Sequence, residues 1–189
     1  NSRGEVRREK GDLDSAMSDY DEAIGLDPEF VEAYFNRGEV CREKGDREDA
    51  MRDYDEAIRL KPEVAELYLI RGKVRYDLMD FDGAISDCND AIRLKPEEAS
   101  FYVQRGVARV WKMDFAGALN DYDNAINLEP DYADAYYCRA AVLENQKKYE
   151  KAITDLRKYL ALGNGTQDVG QDAVESRIRE LLKKAKSSI

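Results

Sequence analysis

Acidic side chains recur in two short phrases of this chain. The phrases Asp19-Tyr20-Asp21-Glu22 and Asp53-Tyr54-Asp55-Glu56 each place three carboxylates within four residues. Such a composition is typical of a site for a hard cation, which needs several oxygens converging at about 2.3–2.6 Å. Consecutive residues of a helix point in different directions around its axis, so these carboxylates do not converge. We therefore interpret both phrases as solvated helix faces and predict no metal site and no cofactor.

Residues that act as nucleophiles or soft metal ligands are scarce. The chain contains no histidine and three cysteines, Cys41, Cys88 and Cys138. The absence of histidine excludes Ser-His-Asp and Cys-His nucleophile systems and every zinc site that uses histidine. The cysteines are far apart and odd in number, so we interpret them as small buried apolar residues. We predict that the chain is not an enzyme.

The balance of charge restricts the partners of the chain. It has 30 basic and 40 acidic residues and a formal net charge of −10. This charge repels nucleic-acid phosphates and anionic membranes and favours a basic or neutral partner. No apolar run approaches the roughly 20 residues that span a bilayer. We expect no direct membrane insertion and a cytoplasmic location.

Four prolines divide the chain into segments of equal length. Pro28, Pro62, Pro96 and Pro130 lie 34 residues apart, and each closes a phrase Ala-Ile-x-Leu-x-Pro. Each segment contains two helical patterns, and the proline ends the second by disfavouring helical geometry at the residue before it. An interval of this size with two helices per unit indicates stacked helical hairpins, which usually hold another polypeptide.

Aromatic and small residues recur at fixed positions of these segments. The columns contain Tyr34, Tyr68, Tyr102 and Tyr136; Gly4, Gly38, Gly72, Gly106 and Ala140; Ala16, Ala50, Ala84, Ala118 and Ala152; and Ala23, Ala57, Ala91 and Ala125. This pattern resembles the tetratricopeptide repeat family over nearly the whole chain. The resemblance implies an all-α fold, a right-handed α-solenoid of about five helical hairpins with a C-terminal capping helix.

The alignment sets the expected boundaries of one domain, residues 1–189. The repeats are predicted at about 1–30 (partial), 31–64, 65–98, 99–132 and 133–166, with the capping helix at about 168–186. The predicted helices of the complete repeats are 31–44 and 47–60, 65–78 and 81–94, 99–112 and 115–128, and 133–146 and 149–162. The first repeat lacks the start of its first helix, so we expect further repeats or domains before residue 1. Met79 and Met113 replace a turn glycine, which is expected to shift two hairpins slightly.

The family resemblance also indicates where a partner binds. In tetratricopeptide arrays the first helix of each hairpin lines a concave groove. Carried over by alignment, the predicted groove residues are Phe35, Asn36, Glu39, Glu43, Leu69, Lys73, Tyr76, Val103, Gln104, Val107, Val110, Trp111 and Tyr137, with Cys138, Ala141 and Asn145 in the same columns. The valines and Trp111 are the expected anchor for apolar partner residues, because desolvated side chains of this kind dominate binding energy. Glu39 and Glu43 favour basic partner residues, and Asn36 is expected to bond a peptide backbone.

Two charged columns have an architectural interpretation. Arg37, Arg71, Arg105 and Arg139 precede the glycine column, and Asp19, Asp53, Asp87, Asp121 and Asp155 recur in the second helices. Because the pairing recurs, we predict an arginine–aspartate ladder that joins the two helices of each hairpin.

The sequence therefore favours a peptide- or protein-binding scaffold or adaptor. Two alternatives remain open. One is a self-assembling scaffold, that is, a homo-oligomer, and the other is the interaction domain of a longer protein.

Overall fold

The computed structural model describes residues 1–163 and 169–187, and the regular secondary structure in these residues is entirely helical. The helices are α1 (Ser2–Glu9), α2 (Leu13–Leu26), α3 (Val31–Lys44), α4 (Arg47–Leu60), α5 (Ala65–Asp77), α6 (Phe81–Leu94), α7 (Ala99–Trp111), α8 (Phe115–Leu128), α9 (Ala133–Asn145), α10 (Tyr149–Ala161) and α11 (Gln171–Lys186). The helices α3 to α10 begin and end within one residue of their predicted bounds. The predicted positions 166 and 168 lie outside the described residues.

The helices α1 to α10 form five hairpins of consecutive helices, and the fold is the predicted all-α repeat fold. The chain divides into two compact units, residues 1–96 with α1 to α6 and residues 97–189 with α7 to α11. We call them unit 1 and unit 2. None of the helices in the described residues is both long and apolar enough to cross a membrane.

The turn inside each hairpin keeps one geometry although its residue changes. Gly45 has φ 86°, and Met79, Met113 and Lys147 adopt φ values of 61°, 61° and 58° at the equivalent positions. The next residue donates its backbone N–H to the carbonyl five positions earlier, at 2.8 Å for Asp46 and at 2.8–2.9 Å in the four other hairpins, where the donors are Asp12, Asp80, Asp114 and Lys148. This is the Schellman arrangement, which satisfies carbonyls at the end of a helix. The expected shift of the methionine hairpins is therefore absent from the turn, and the methionines accept a left-handed conformation instead.

The two helices of a hairpin approach closely because glycine faces an aromatic ring. A Cβ atom added at Gly38 would lie 2.8 Å from the ring of Tyr54, which is fully buried. The pairs Gly4–Tyr20 and Gly106–Tyr122 show the same arrangement. The pairing of a glycine with a large ring thus sets the distance between the two helices of these hairpins.

The predicted arginine–aspartate ladder is present. Arg71 donates to both carboxylate oxygens of Asp87, at 3.1 and 2.6 Å, and its other terminal nitrogen donates to Asp55 of the preceding hairpin at 2.7 Å. The guanidinium also lies over the ring of Tyr68, 5.7 Å from its centre. The bond to the aspartate of the same hairpin recurs at Arg37, Arg105 and Arg139. Arg37 and Arg139 also donate to an aspartate of the preceding hairpin. Each arginine accordingly ties its own helix to the second helix of its hairpin.

The helix α11 covers the last hairpin of unit 2. Its buried side chains Val174, Ile178 and Leu181 pack in one core cluster with Leu156 and Tyr159 of α10. Its opposite face carries lysine and arginine. This arrangement is that of a capping helix, which removes the apolar side of a terminal hairpin from water.

Candidate functional site

Unit 2 contains an open apolar pocket formed by α7, α8 and α9. Its volume is about 240 Å³. It is lined by Val107, Val110, Trp111, Phe115, Tyr122, Tyr137, Cys138, Ala141, Val142 and Asn145. We call this cavity the unit 2 pocket. Four predicted groove residues, Val107, Val110, Trp111 and Tyr137, therefore lie together.

The helical spacing of the lining residues explains the shape of the pocket. Positions 107, 110 and 111 fall on one face of α7, and 137, 138, 141, 142 and 145 follow one face of α9. Tyr122 of α8 lies at the base, where Gly106 leaves space for its ring. Trp111 is 61% exposed although it borders this cavity. A large aromatic side chain beside an apolar cavity forms an exposed apolar surface that a partner can cover.

No carboxylate, lysine or arginine is among the residues that line the unit 2 pocket. The side-chain amide of Asn145 is the polar group best suited to bond a backbone, because it both donates and accepts. Burial raises the pKa of the Cys138 thiol to about 12, so this sulfur stays protonated near neutral pH and behaves as an apolar wall. The pocket therefore suits an uncharged side chain.

Charged residues adjoin the pocket at Tyr137. The Tyr137 ring packs against Tyr159 with ring centres 5.0 Å apart, and the Arg177 guanidinium lies 5.4 Å from the centre of the Tyr137 ring. Arg177 Nε donates to Glu144 Oε2 at 2.8 Å, and Lys184 pairs with the same carboxylate at 3.5 Å. The contacts of α11 thus hold one wall of the pocket in place.

In unit 1 the predicted polar groove residues are bonded to one another. Asn36 Nδ2 donates to Asn1 Oδ1 at 3.1 Å and to Glu5 Oε1 at 3.0 Å, and Asn36 is buried. Its amide nitrogen is thereby engaged within the chain, which differs from the predicted bond to a peptide. Arg8 Nε donates to Glu43 Oε1 at 2.7 Å, so part of the acidic surface is neutralised internally.

Glu39 is the centre of this network, and only 8% of it is exposed. It accepts from Tyr54 Oη at 2.6 Å, from Arg42 at 2.9 Å and from Arg8 at 3.4 Å. Burial by itself raises the pKa of Glu39, but the hydrogen bonds from Arg42 and Tyr54 outweigh it and the pKa is lowered. Burial, followed by the bond to Glu39, raises the pKa of the Tyr54 hydroxyl.

The remaining predicted residues are distributed over both units. In unit 1, Phe35 packs against Tyr54 and Tyr76 packs edge-on against Phe81, with ring centres 6.2 and 5.6 Å apart. Leu69 is half-buried and Lys73 is exposed; in unit 2, Gln104 is half-buried and Val103 is buried in the core. Val103 therefore packs in the core cluster that contains Tyr122 and Val142 and does not line the unit 2 pocket.

Alignment of the first helices alone missed part of the pocket. Phe115 and Tyr122 lie on α8, the second helix of its hairpin, and Val142 was not among the groove columns. Tyr122 stands at the repeat position of Tyr20 and Tyr54 in the sequence, but its packing role hid its contribution to a cavity wall. Within residues 1–163 and 169–187, no group of three or more cysteine, aspartate or glutamate residues is arranged to hold a metal ion.

Comparison with known families agrees with this architecture. The family description "TPR repeat" matches residues 4–41 and 114–147, and the description "Tetratricopeptide repeat" matches residues 31–64. No curated protein sequence matches the chain.

Solved structures share the fold over most of the chain. A crystal structure of MamA is 25% identical with a TM-score of 0.77, over 84% of this chain and 93% of MamA. YrrB, described as a TPR protein with an unusual peptide-binding site, is 22% identical with a TM-score of 0.72, over 92% and 88% of the two chains. PilF of Pseudomonas aeruginosa is 16% identical with a TM-score of 0.81, over 98% and 83%. At these identities YrrB and PilF show the fold alone.

Proposed function

Because this chain belongs to the tetratricopeptide repeat family, we propose that it is a non-catalytic scaffold that binds a segment of a partner protein at the unit 2 pocket. Proteins of this family are generally interaction scaffolds. The observation that carries the proposal is the exposed Trp111 beside an open pocket with apolar walls. A partner side chain that entered the pocket would bury this surface, and aromatic anchors of this kind dominate binding energies.

The chemistry of the pocket indicates the chemistry of the anchor. A cavity of about 240 Å³ without a charged lining residue accommodates one or two uncharged side chains such as leucine, methionine or phenylalanine. A charged side chain would lose its hydration there without gaining a partner. Peptide binding by this kind of fold has a precedent in YrrB.

Basic residues elsewhere in the partner segment fit the charge of unit 1. Residues 1–96 contain 25 acidic and 16 basic residues, a net charge of −9. Such a field raises the association rate of a basic segment and weakens with added salt. We propose that this attraction accelerates the encounter while the apolar anchor supplies most of the affinity.

A peptide-array experiment with matched variants tests the proposal. The Trp111→Ala variant removes the exposed ring at the pocket, and the control variant Leu128→Ala removes an apolar side chain that is 41% exposed on the same unit. We expect Trp111→Ala to weaken binding of the selected peptides by about tenfold or more, or at least 1.4 kcal/mol. Leu128→Ala should retain the affinity of the parent chain. Equal binding by both variants would place the site elsewhere.

Self-assembly is the alternative function, and the parent chain and the Trp111→Ala variant also test it. Sedimentation velocity over a range of concentrations measures the mass of the parent chain without peptide. A monomer that binds selected peptides supports the scaffold. An oligomer that dissociates in Trp111→Ala, with no peptide bound by the parent chain, would assign the pocket to a second copy.

A further inference from the structure

A second groove of unit 2 shares no residue with the unit 2 pocket. It is formed by α8, α9 and α10, and its volume is about 410 Å³. It is lined by Leu119, Asp123, Arg139, Leu143, Lys148, Lys151, Thr154 and Asp155. We call it the α10 groove.

Unit 1 contains a groove at the same place of the repeat, three repeats earlier. Among its lining residues are Met17, Asp21, Arg37, Cys41, Asp46, Asp49, Arg52 and Asp53. These eight align one for one with the eight residues of the α10 groove. Because the two grooves lie at equivalent backbone positions, their differences in charge come from their side chains.

The floors of the two grooves are alike. Arg139 donates to Asp155 at 2.8 and 2.7 Å and to Asp123 at 2.6 Å. Arg37 makes the equivalent bonds to Asp53 and Asp21. The ladder charges therefore satisfy one another in both places, and the rim determines what each groove attracts.

The rim reverses its charge between the two grooves. Lys148 and Lys151 replace Asp46 and Asp49. Both lysines are exposed, and neither side chain forms an ion pair or a hydrogen bond within the part of the chain that the structure describes. With its floor included, the α10 groove has three basic and two acidic lining residues, whereas the unit 1 groove has three basic and five acidic ones.

The reversal extends along the outer face of α10. The five positions that correspond to Lys148, Lys151, Thr154, Arg157 and Lys158 carry three acidic residues in α2, four acidic residues and one arginine in α4, and two acidic residues each in α6 and α8. In α10 they carry four basic residues and no acidic one. Lys158 is partly neutralised by Asp131 at 3.6 Å. The other three lack an ion pair in the described residues.

The lysines stand where folding favours the opposite charge. Asp80 and Asp114 occupy the N-cap position of their helices and accept a bond from the backbone N–H three residues later, at 2.9 Å in each case. Lys148 occupies this position in α10 and cannot accept such a bond. Lys151 adds a second positive charge in the first turn, at the positive end of the helix dipole. Residues that break local rules without a structural gain are expected at functional sites.

We propose that the α10 groove binds an acidic segment of a partner polypeptide. The carboxylates of the segment would pair with Lys148 and Lys151, and Leu119 and Leu143 would contact its aliphatic side chains. Charge complementarity selects this occupant, because the outer face of α10 carries four basic residues at positions where the other second helices carry two to four acidic ones. The net charge of −9 on residues 1–96 repels longer polyanions such as nucleic acids.

Fluorescence anisotropy with the full chain tests this proposal. The probe is a labelled peptide of alternating glutamate and leucine, and the control probe has glutamine in place of glutamate. We expect the glutamate peptide to bind about tenfold or more tightly than the glutamine peptide, and to weaken as salt screens the charges.

Exchange of the two rims supplies matched variants that retain the fold. Lys148→Asp with Lys151→Asp installs the residues of the unit 1 groove, and should abolish binding of the glutamate peptide without loss of stability. Asp46→Lys with Asp49→Lys should add a second binding site of the same kind. Trp111→Ala should leave this binding unchanged, so that failure of the proposed function and failure of this proposal remain distinguishable.

Four outcomes would overturn the proposal. One is equal binding of the glutamate and glutamine peptides, and another is binding that survives the aspartate substitutions. The third is binding of single-stranded oligonucleotides or phosphatidylserine vesicles instead of the peptide, which would assign the lysines to a different class of partner. An oligomer that the aspartate variant alone dissociates, without peptide binding by the parent chain, would likewise assign the groove to a second copy and overturn it.

Discussion

Single residues set the spacing of each hairpin through complementary size. Gly38 faces the ring of Tyr54, whereas Gly72 faces Asp87 because Cys88 takes the aromatic position in that repeat. A Cβ atom at Gly38 would meet the ring at 2.8 Å, and one at Gly72 would lie 3.2 Å from the Asp87 Cβ atom. The same glycine column therefore has different packing demands in neighbouring repeats.

This difference predicts unequal effects of two identical substitutions. Gly38→Ala should destabilise the chain, because overpacking costs about 1–3 kcal/mol and exceeds the gain of about 1 kcal/mol in helix propensity. Gly72→Ala should be less destabilising by about 1 kcal/mol or more, since its nearest neighbour is not a ring. Guanidinium unfolding of both variants measures the difference. Equal midpoints would show that the tyrosine ring moves away without cost.

A methionine in the left-handed region is a local strain that glycine can relieve. Met113 has φ 61° and is 78% exposed. We expect Met113→Gly to stabilise the chain by about 1 kcal/mol, because glycine adopts this conformation without the Cβ clash. Ala116→Gly, at an exposed position in the first turn of α8, should destabilise it by up to about 1 kcal/mol. Thermal unfolding compares the two, and a loss of stability in Met113→Gly would contradict the strain.

At the scale of elements, the ladder arginines join helices through buried carboxylates. Asp121 is fully buried and accepts from Arg105 and also from Arg109, at 2.6 and 2.8 Å. The exposed pair Arg59–Glu56 lies within one helix and provides a comparison. Burial, rather than the number of ion pairs, determines which arginines stabilise the fold.

Replacement of Arg105 therefore has a predicted cost. Arg105→Leu should destabilise unit 2 by about 3 kcal/mol or more, because it removes the main partner of a buried carboxylate. Arg59→Leu should cost less than about 1 kcal/mol. Chemical unfolding measures both costs. At a temperature where Arg105→Leu is folded, its affinity for peptide should equal that of the parent chain. A large loss of affinity with normal stability would refute the architectural role.

The network around Glu39 makes the stability of unit 1 dependent on pH. The pKa of Glu39 lies below its ordinary value of 4.5, so the folded state favours the ionised form. Its contribution is complete above pH 4.5 and is lost as the pH falls through the lowered pKa. The difference in stability between the parent chain and Glu39→Gln should therefore be largest near neutral pH and shrink in acid. A difference in stability that stays constant as the pH falls below 4.5 would contradict this expectation. The control is Glu48→Gln, which replaces an exposed glutamate of the same unit.

At the scale of the whole molecule, the periodic columns predicted most of the architecture. The proline interval located the helices α3 to α10 to within a residue, and the recurrence of Arg37 and Asp53 revealed the ladder. The site was predicted less completely. Phe115 and Tyr122 come from a second helix, and the bonds of Asn36 to Glu5 depend on three-dimensional neighbours. A column shows which positions of the repeats are equivalent. Whether a cavity forms depends on which side chains occupy those positions and their neighbours on other helices.

The two units also differ in ways that a shared repeat does not dictate. Residues 1–96 carry a net charge of −9 and residues 97–189 a net charge of −1. Unit 2 contains the apolar pocket at Trp111 and the basic rim at Lys148. The repeated residues form the scaffold. The residues at which unit 2 differs from the other repeats form the surfaces proposed for partners.

The fluorescence of Trp111 tests the central claim most directly, because it is the only tryptophan of the sequence and borders the unit 2 pocket. A peptide selected on the array is titrated into the parent chain, and its affinity is measured in parallel by calorimetry. We predict that the emission shifts to shorter wavelength and that acrylamide quenching decreases, with the same affinity as in calorimetry. Binding by calorimetry with unchanged emission and quenching would contradict a site at this pocket.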